Sequence, residues 1–368
     1  HNCSCNMSEQ ANLDPEPWTY HLLGLISPLL VISGNLLGVY EPIYAAMGVI
    51  FIWVVGPILD VLLGETKVPR PPRDSGTPFE VLLWVHGILQ LVVMGTFFWF
   101  AFNTGLNIWL IVGALSTGLS AAASAIVTAH ELGHTRPRSP SWWLSRVLLF
   151  SVNYLHFTTE HNYNHHRWVA TDKDPASATE DESLWHFWIR TIPGQFKSSV
   201  EIHNSKGKTG INNPSYRGLF LQIVTILGLA FVPGYLGYFD GIPLTVGWLI
   251  SSAISILTLE YVNYIRHWGL RRGKGRFKAE HAWNTEARWS RWSLLELTRQ
   301  SDHHIDGGVP FWKLRPLANT PTLKWGYYAS WWPCVITPIW RKVMTPRLAN
   351  FCLLYTSDAA DERSSVDL

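Results

Sequence analysis

The placement of the basic residues constrains this chain more than any other feature. All 29 Lys and Arg fall into three blocks: Lys67 to Arg73, Arg136 to Arg217, and Arg266 onward. The intervals 1–66, 74–135 and 218–265 hold none and are largely apolar. Charged residues make up 15% of the chain, against about 25% in a soluble domain. A formal charge of +2 lacks the basic surplus of a nucleic-acid binder, so no nucleic-acid partner is expected.

A hydrocarbon core about 30 Å thick needs roughly 20 helical residues to cross. Six stretches reach that length: about 19–40, 42–64, 80–102, 105–129, 216–239 and 243–266. A few polar residues, Asn35, Asp60 and Glu260, sit inside them. The connectors Glu41, Asn103–Thr104 and Asp240–Ile242 carry no Lys or Arg. By the positive-inside rule, both termini and the 130–215 segment face the cytoplasm. One membrane domain is expected over 19–350. The stretch before the first span is acidic (Glu9, Asp14, Glu16) and lacks the basic n-region of a signal peptide, so that span is expected to be retained. Residues 1–18 and 353–368 are expected to be tails outside the domain. Cys3, Cys5, Cys334 and Cys352 form no CxxC pair, so no disulfide scaffold is expected. Most of the 20 Trp fit an aromatic belt at span ends.

Eight of the 15 His fall into four compact sets. His130 and His134 lie in HELGH after the fourth span, and His161, His165 and His166 lie in EHNYNHH. His267 ends the sixth span in NYIRHWGL, and His303 and His304 lie in QSDHH. The topology puts all four sets at one depth on the cytoplasmic side. The expected fold is therefore all-α and integral to the membrane: six transmembrane helices with a cytoplasmic histidine-rich helical cap. The fourth helix, if continuous from Gly105 to His134, would be about 45 Å long and would carry HELGH beyond the hydrocarbon.

Residues i and i+4 share a helix face. His130/His134 and His161/His165 are such pairs, each able to grip one metal. Adjacent doublets, His165/His166 and His303/His304, can offer one ring to each of two metals. Imidazole suits iron, copper, zinc and nickel, and eight rings exceed what one ion can use. Glu131, Glu160, Asp174, Glu280 and Asp302 are candidates to orient the rings, with His281 beside them. His21, His86, His156, His186 and His203 have no cluster partners and read as ordinary interfacial or core residues. HELGH alone is also the zinc metalloprotease signature, with Glu131 as base; three further sets at the same depth argue against that reading.

Taken together, HELGH, EHNYNHH, NYIRHWGL and SDHH on six spans resemble the integral-membrane alkane 1-monooxygenases (alkane omega-hydroxylases) of the membrane fatty acid desaturase/hydroxylase superfamily. PILDVLLG at Pro57–Gly64, IRTIPGQF at Ile189–Phe196, DPAS at Asp174–Ser177, HAWN at His281–Asn284 and WRKVMTPRL at Trp340–Leu348 add to the likeness. It covers roughly Leu22 to Leu348. The resemblance implies two non-haem Fe ions held by nine histidines. It also implies hydroxylation of the terminal methyl of medium- or long-chain n-alkanes to 1-alkanols. O2 would be the oxidant, and rubredoxin with an NADH-dependent reductase would deliver electrons in the inner (plasma) membrane. Eight ligand positions match: His130, His134, His161, His165, His166, His267, His303 and His304. At the ninth, this chain has Gln300, which would leave one iron under-coordinated or absent. No residue beyond the metal ligands is assigned to the chemistry.

The alkane would enter from lipid into a pocket among the spans. Trp53 stands near the family's depth-limiting position, and a packing role fits it equally; Asp60 is expected near the same pocket. A basic face (Arg136, Arg138, Arg271, Arg272, Lys274, Arg276) would dock acidic rubredoxin or contact anionic lipid. Three alternatives stay open: a fatty-acid or alkyl-aromatic hydroxylase, a desaturase, or a degenerate member without turnover.

Overall fold

The computed structural model describes residues 13–366; Cys3, Cys5, Glu9 and the start of the expected N-terminal tail lie outside them. Six helices are long and apolar enough to cross a membrane. They are α1 (Trp18–Gly38), α2 (Pro42–Leu62), α3 (Thr77–Thr104), α4 (Ile108–Gly133), α8 (Pro214–Tyr235) and α9 (Ile242–His267). Between α4 and α8 lie three cap helices. These are α5 (Pro140–Ser151), α6, which joins Phe157–Glu160 and His166–Trp168 through a π turn at His161–His165, and α7 (Leu184–Ser205). After α9 come α10 (Arg288–Ser293), α11 (Gln300–Ile305), α12 (Trp331–Val335) and α13 (Thr337–Val366). Extended structure among the described residues is limited to two isolated bridges, Glu65 with Ala287 and Asn284 with Thr322. The protein is an all-helical, multi-pass membrane protein.

Local chemistry sets the helix ends. Gly105 takes φ +73°, a left-handed turn that suits glycine, and reverses the chain after α3. Asn107 then caps α4, its side chain accepting from the amides of Trp109 and Leu110. The fourth helix thus starts at Ile108, later than the Gly105 expected from hydropathy, because the cap needs Asn107 in an extended conformation. Ser139, Ser183 and Asn213 cap α5, α7 and α8 in the same way.

Spans α4 and α9 form the centre of the bundle. A Cβ on Gly118 would collide with Ile254 and Ser251, and Ser255 Oγ donates to the Gly118 carbonyl at 2.9 Å. Small residues at such a crossing let backbones approach where burial of apolar surface gives no driving force. Span α8 is the least buried of the six and presents its apolar face outward.

The apolar core of the cap is continuous with that of the spans. Trp268, Trp283, Trp289 and Trp340 are buried there, so these four stand apart from the aromatic belt. Glu16 receives both Arg291 Nη atoms at 3.1 Å and Trp292 Nε1 at 3.1 Å, which ties the segment before the first span to the cap. Glu296 completes this network, binding Arg291 at 2.8 Å and His21 at 3.1 Å. At the other end, α13 carries on through Val366.

Candidate metal centre

The four histidine sets converge from α4, α6, α9 and α11 into two groups. His130, His134, His161, His166 and His303 form one; His165, His267 and His304 form the other. Within each group the candidate donor atoms lie within 4.8 Å of one another. Both doublets divide between the groups: His166 and His303 face the first, His165 and His304 the second.

The expected pairing of His161 with His165 on one metal is corrected. The chain makes a π turn at His161–His165, and a π turn closes i to i+5 rather than i to i+4. His161 therefore meets His166 edge to face, with Nε2 atoms 3.1 Å apart, and the donor atom of His165 joins the other group. His130 and His134, on ordinary α-helix, stay together as expected.

Nitrogen geometry tests whether a metal fits. Two ligands each ~2.1 Å from one ion and at right angles stand ~3.0 Å apart. The His130–His303 and His161–His166 Nε2 pairs are each at 3.1 Å. In the interior, His134, His165, His267 and His304 each have a buried Nε2 without a hydrogen-bond partner, which is uncommon unless an ion or water takes it up. Burial holds the His134 ring down at about 4. Burial, then the neighbouring rings, keeps His161, His166, His303 and His304 well below the ordinary histidine range. Each of these shifts favours the neutral ring, the form that binds metal. The donor set fits two first-row transition ions.

Orientation comes from few groups. His165 Nδ1 donates to Asp174 Oδ2 at 2.8 Å, and Ser177 Oγ at 2.6 Å and the Ala176 amide at 3.0 Å fix that carboxylate. His267 Nδ1 donates to the carbonyl of His281 at 3.2 Å, so His281 acts through its backbone. The other candidate carboxylates brace segments instead of rings. Glu131 accepts the Phe311 amide at 2.9 Å, Glu160 accepts Asn164 Nδ2 at 2.9 Å, and Asp302 accepts the Arg315 amide at 2.8 Å. Glu280 lies 3.8 Å from the His281 ring. Each was expected to orient a ring; each instead satisfies a nearer donor or lies beside a ring outside the two groups.

Three features escaped the sequence reading. Glu260, fully buried on α9, receives Tyr154 Oη at 3.0 Å, Gln195 Nε2 at 2.6 Å and Asn263 Nδ2 at 3.1 Å. Asn284 of HAWN clasps Ser301 with two hydrogen bonds, 2.7 and 2.9 Å, pinning the start of α11. Gly307 packs against both His166 and His134, beside a cleft between Trp84 and Gly308 that opens onto His134. Of the unclustered histidines, His86 bonds Ser124 at 2.6 Å and His186 bonds Glu182 at 3.0 Å.

An apolar cavity is bounded by α2, α4, α9 and the cap segment around Tyr327. Val127 on its wall is one turn before His130. Two π turns, Phe51–Val55 and Ala121–Ile126, shape it, and Trp53 lines it. Trp53 stacks on Trp331 with centroids 5.8 Å apart. Asp60 does not line the cavity itself but sits behind its wall. Its carboxylate takes the Ser290 Oγ at 2.7 Å and the amides of Tyr328 and Ala329 at 2.9 Å each. A carboxylate at that depth needs such partners, and by holding Tyr328 it braces the cavity wall.

The fold and the paired histidine groups define a helical membrane protein of the fatty acid desaturase type, and the fatty acid desaturase family model matches residues 106–335. An alkane 1-monooxygenase of Ectopseudomonas oleovorans is 31% identical over 82% of this chain and 78% of its own length. One from Acinetobacter baylyi is 29% identical over 89% and 84%. The xylene/toluene monooxygenase hydroxylase component of Pseudomonas putida is 25% identical over 67% of each. The chain belongs to the alkane 1-monooxygenase family within that superfamily.

Proposed function

We propose that the protein is a membrane di-iron monooxygenase that hydroxylates the terminal methyl of medium- or long-chain n-alkanes to 1-alkanols. Its metal ligands are His130, His134, His161, His165, His166, His267, His303 and His304. The observation that carries this reading is the juxtaposition of two groups of imidazoles with an apolar cavity whose wall includes Val127, one turn before His130. Bound as a non-haem pair, iron supplies the one-electron and O2 chemistry that an unactivated methyl requires.

The protein's own residues do the rest. Asp174 and the His281 carbonyl fix ring orientation, and the cavity walls hold the chain end-on and exclude water. Each buried methylene contributes about 0.8 kcal/mol, so the walls sense length. Glu131 is engaged by the Phe311 amide, which weighs against a zinc-protease base. The positive-inside pattern supports an inner-membrane protein with its metal centre in the cytoplasm. Arg271 and Arg272 bind loop carbonyls of Ser177 and Val169 and, with Arg136, Arg138, Lys274 and Arg276, offer a basic face to an acidic rubredoxin.

A second reading, oxidation of a methyl on an aromatic ring, is favoured by the aromatic lining of Trp53, Tyr261, Tyr327 and Trp331. Membranes supplied with O2, rubredoxin, its reductase and NADH are expected to convert octane to 1-octanol in preference to xylene. Exclusive xylene oxidation would favour the second reading, and no product from either, beside an active relative, would overturn both.

A further inference from the structure

Gln300 opens α11, three residues before His303 and one helical turn before His304. Positions i+3 and i+4 both share a helix face with i, so its amide lies on the side of α11 that carries His303 of the five-histidine group and His304 of the three-histidine group. Gln300 is 0% exposed, and neither Oε1 nor Nε2 has a hydrogen-bond partner. Its neighbours are satisfied: Ser301 by Asn284 and Asp302 by Arg315. A buried amide left unpaired in this way is destabilising unless something outside the polypeptide takes it up.

The two groups differ in what they lack. Five imidazoles nearly fill a first-row ion's coordination. His165, His267 and His304 supply only three nitrogens, short of even a tetrahedral set. The Gln carbonyl oxygen is a neutral donor with free lone pairs, harder and weaker than imidazole toward such ions.

We propose that Gln300 lends its side-chain oxygen to the metal of the three-histidine site, so that the two sites hold metal unequally: one firmly through imidazoles alone, the other loosely through a mixed set. This rests on the paired-metal reading above.

The test uses the full-length protein in detergent, loaded anaerobically with ferrous iron and then challenged with a coloured ferrous chelator. Release is expected in a slow and a fast phase, one iron per chain in each. Gln300→His is expected to convert the fast phase to a slow one. Gln300→Leu, of similar size but without the oxygen, is expected to speed the fast phase on the order of 10–100-fold, the range for a lost supporting group, and to leave the slow phase unchanged. Gln300→Glu keeps the shape and a stronger oxygen donor, and is expected to slow the fast phase; it decides the matter if the Leu variant's thermal unfolding shows a damaged fold. Two irons whose release ignores position 300 would overturn this proposal alone. A wild-type chain that takes up no iron would overturn it together with the paired-metal reading.

Discussion

At the scale of single residues, Asp174 and Gly307 make the sharpest tests. Asp174 fixes the His165 ring through a 2.8 Å bond, so Asp174→Ala is expected to weaken metal binding roughly 10–100-fold. Competitive titration against a chelator measures this, and unchanged affinity would contradict it. A Cβ on Gly307 would stand 2.9 Å from His166 Cε1 and 3.4 Å from His134 Cε1. Gly307→Ala should therefore cut alkanol formation while leaving thermal unfolding nearly unchanged, because the fixed rings, and not the loop, are displaced. The candidate ligands were legible because histidines are few and their motifs local. The partners of Asp60 were not, since Ser290 and Tyr328 lie 230 and 268 residues away in sequence. Burial cost said that Asp60 needed partners but could not say which.

At the scale of elements, the π turns separate what the sequence could say from what it could not. Spacing arithmetic assumes 3.6 residues per turn; it pairs His130 with His134 correctly and His161 with His165 wrongly, because the turn at His161–His165 is wider. Hydropathy located all six spans to within a few residues, since length and charge exclusion are properties of composition alone. Their mutual packing depends on small residues that hydropathy does not register. Gly118→Val, pushed into Ile254 and Ser251, is expected to cost about 1–3 kcal/mol by overpacking, seen as a lower unfolding midpoint in detergent. An unchanged midpoint would show that α4 and α9 are not held at close approach.

At the scale of the whole molecule, a buried ion network ties the N-terminal segment to the cap. Burial alone would raise the Glu296 carboxyl, but Arg291 and Arg299 hold it well below the usual carboxylate range. A folded value below the unfolded one stabilises the protein fully above about pH 4.5. That contribution fades as pH falls through the lower folded value. Glu296→Gln is thus expected to lose about 3–5 kcal/mol at neutral pH and to show a shallower acid loss than wild type; parallel acid curves would contradict this. The membrane architecture was readable because the bilayer sorts charge along the chain. The cap core of Trp268, Trp283 and Trp340 was not, because loops distant in sequence assemble it. Eight imidazoles arranged as two adjoining groups set an iron content of two per purified chain as the expected value. Anaerobically loaded wild type is expected to carry two irons, falling to one in His267→Ala; no iron in wild type, or two retained in that variant, would contradict it.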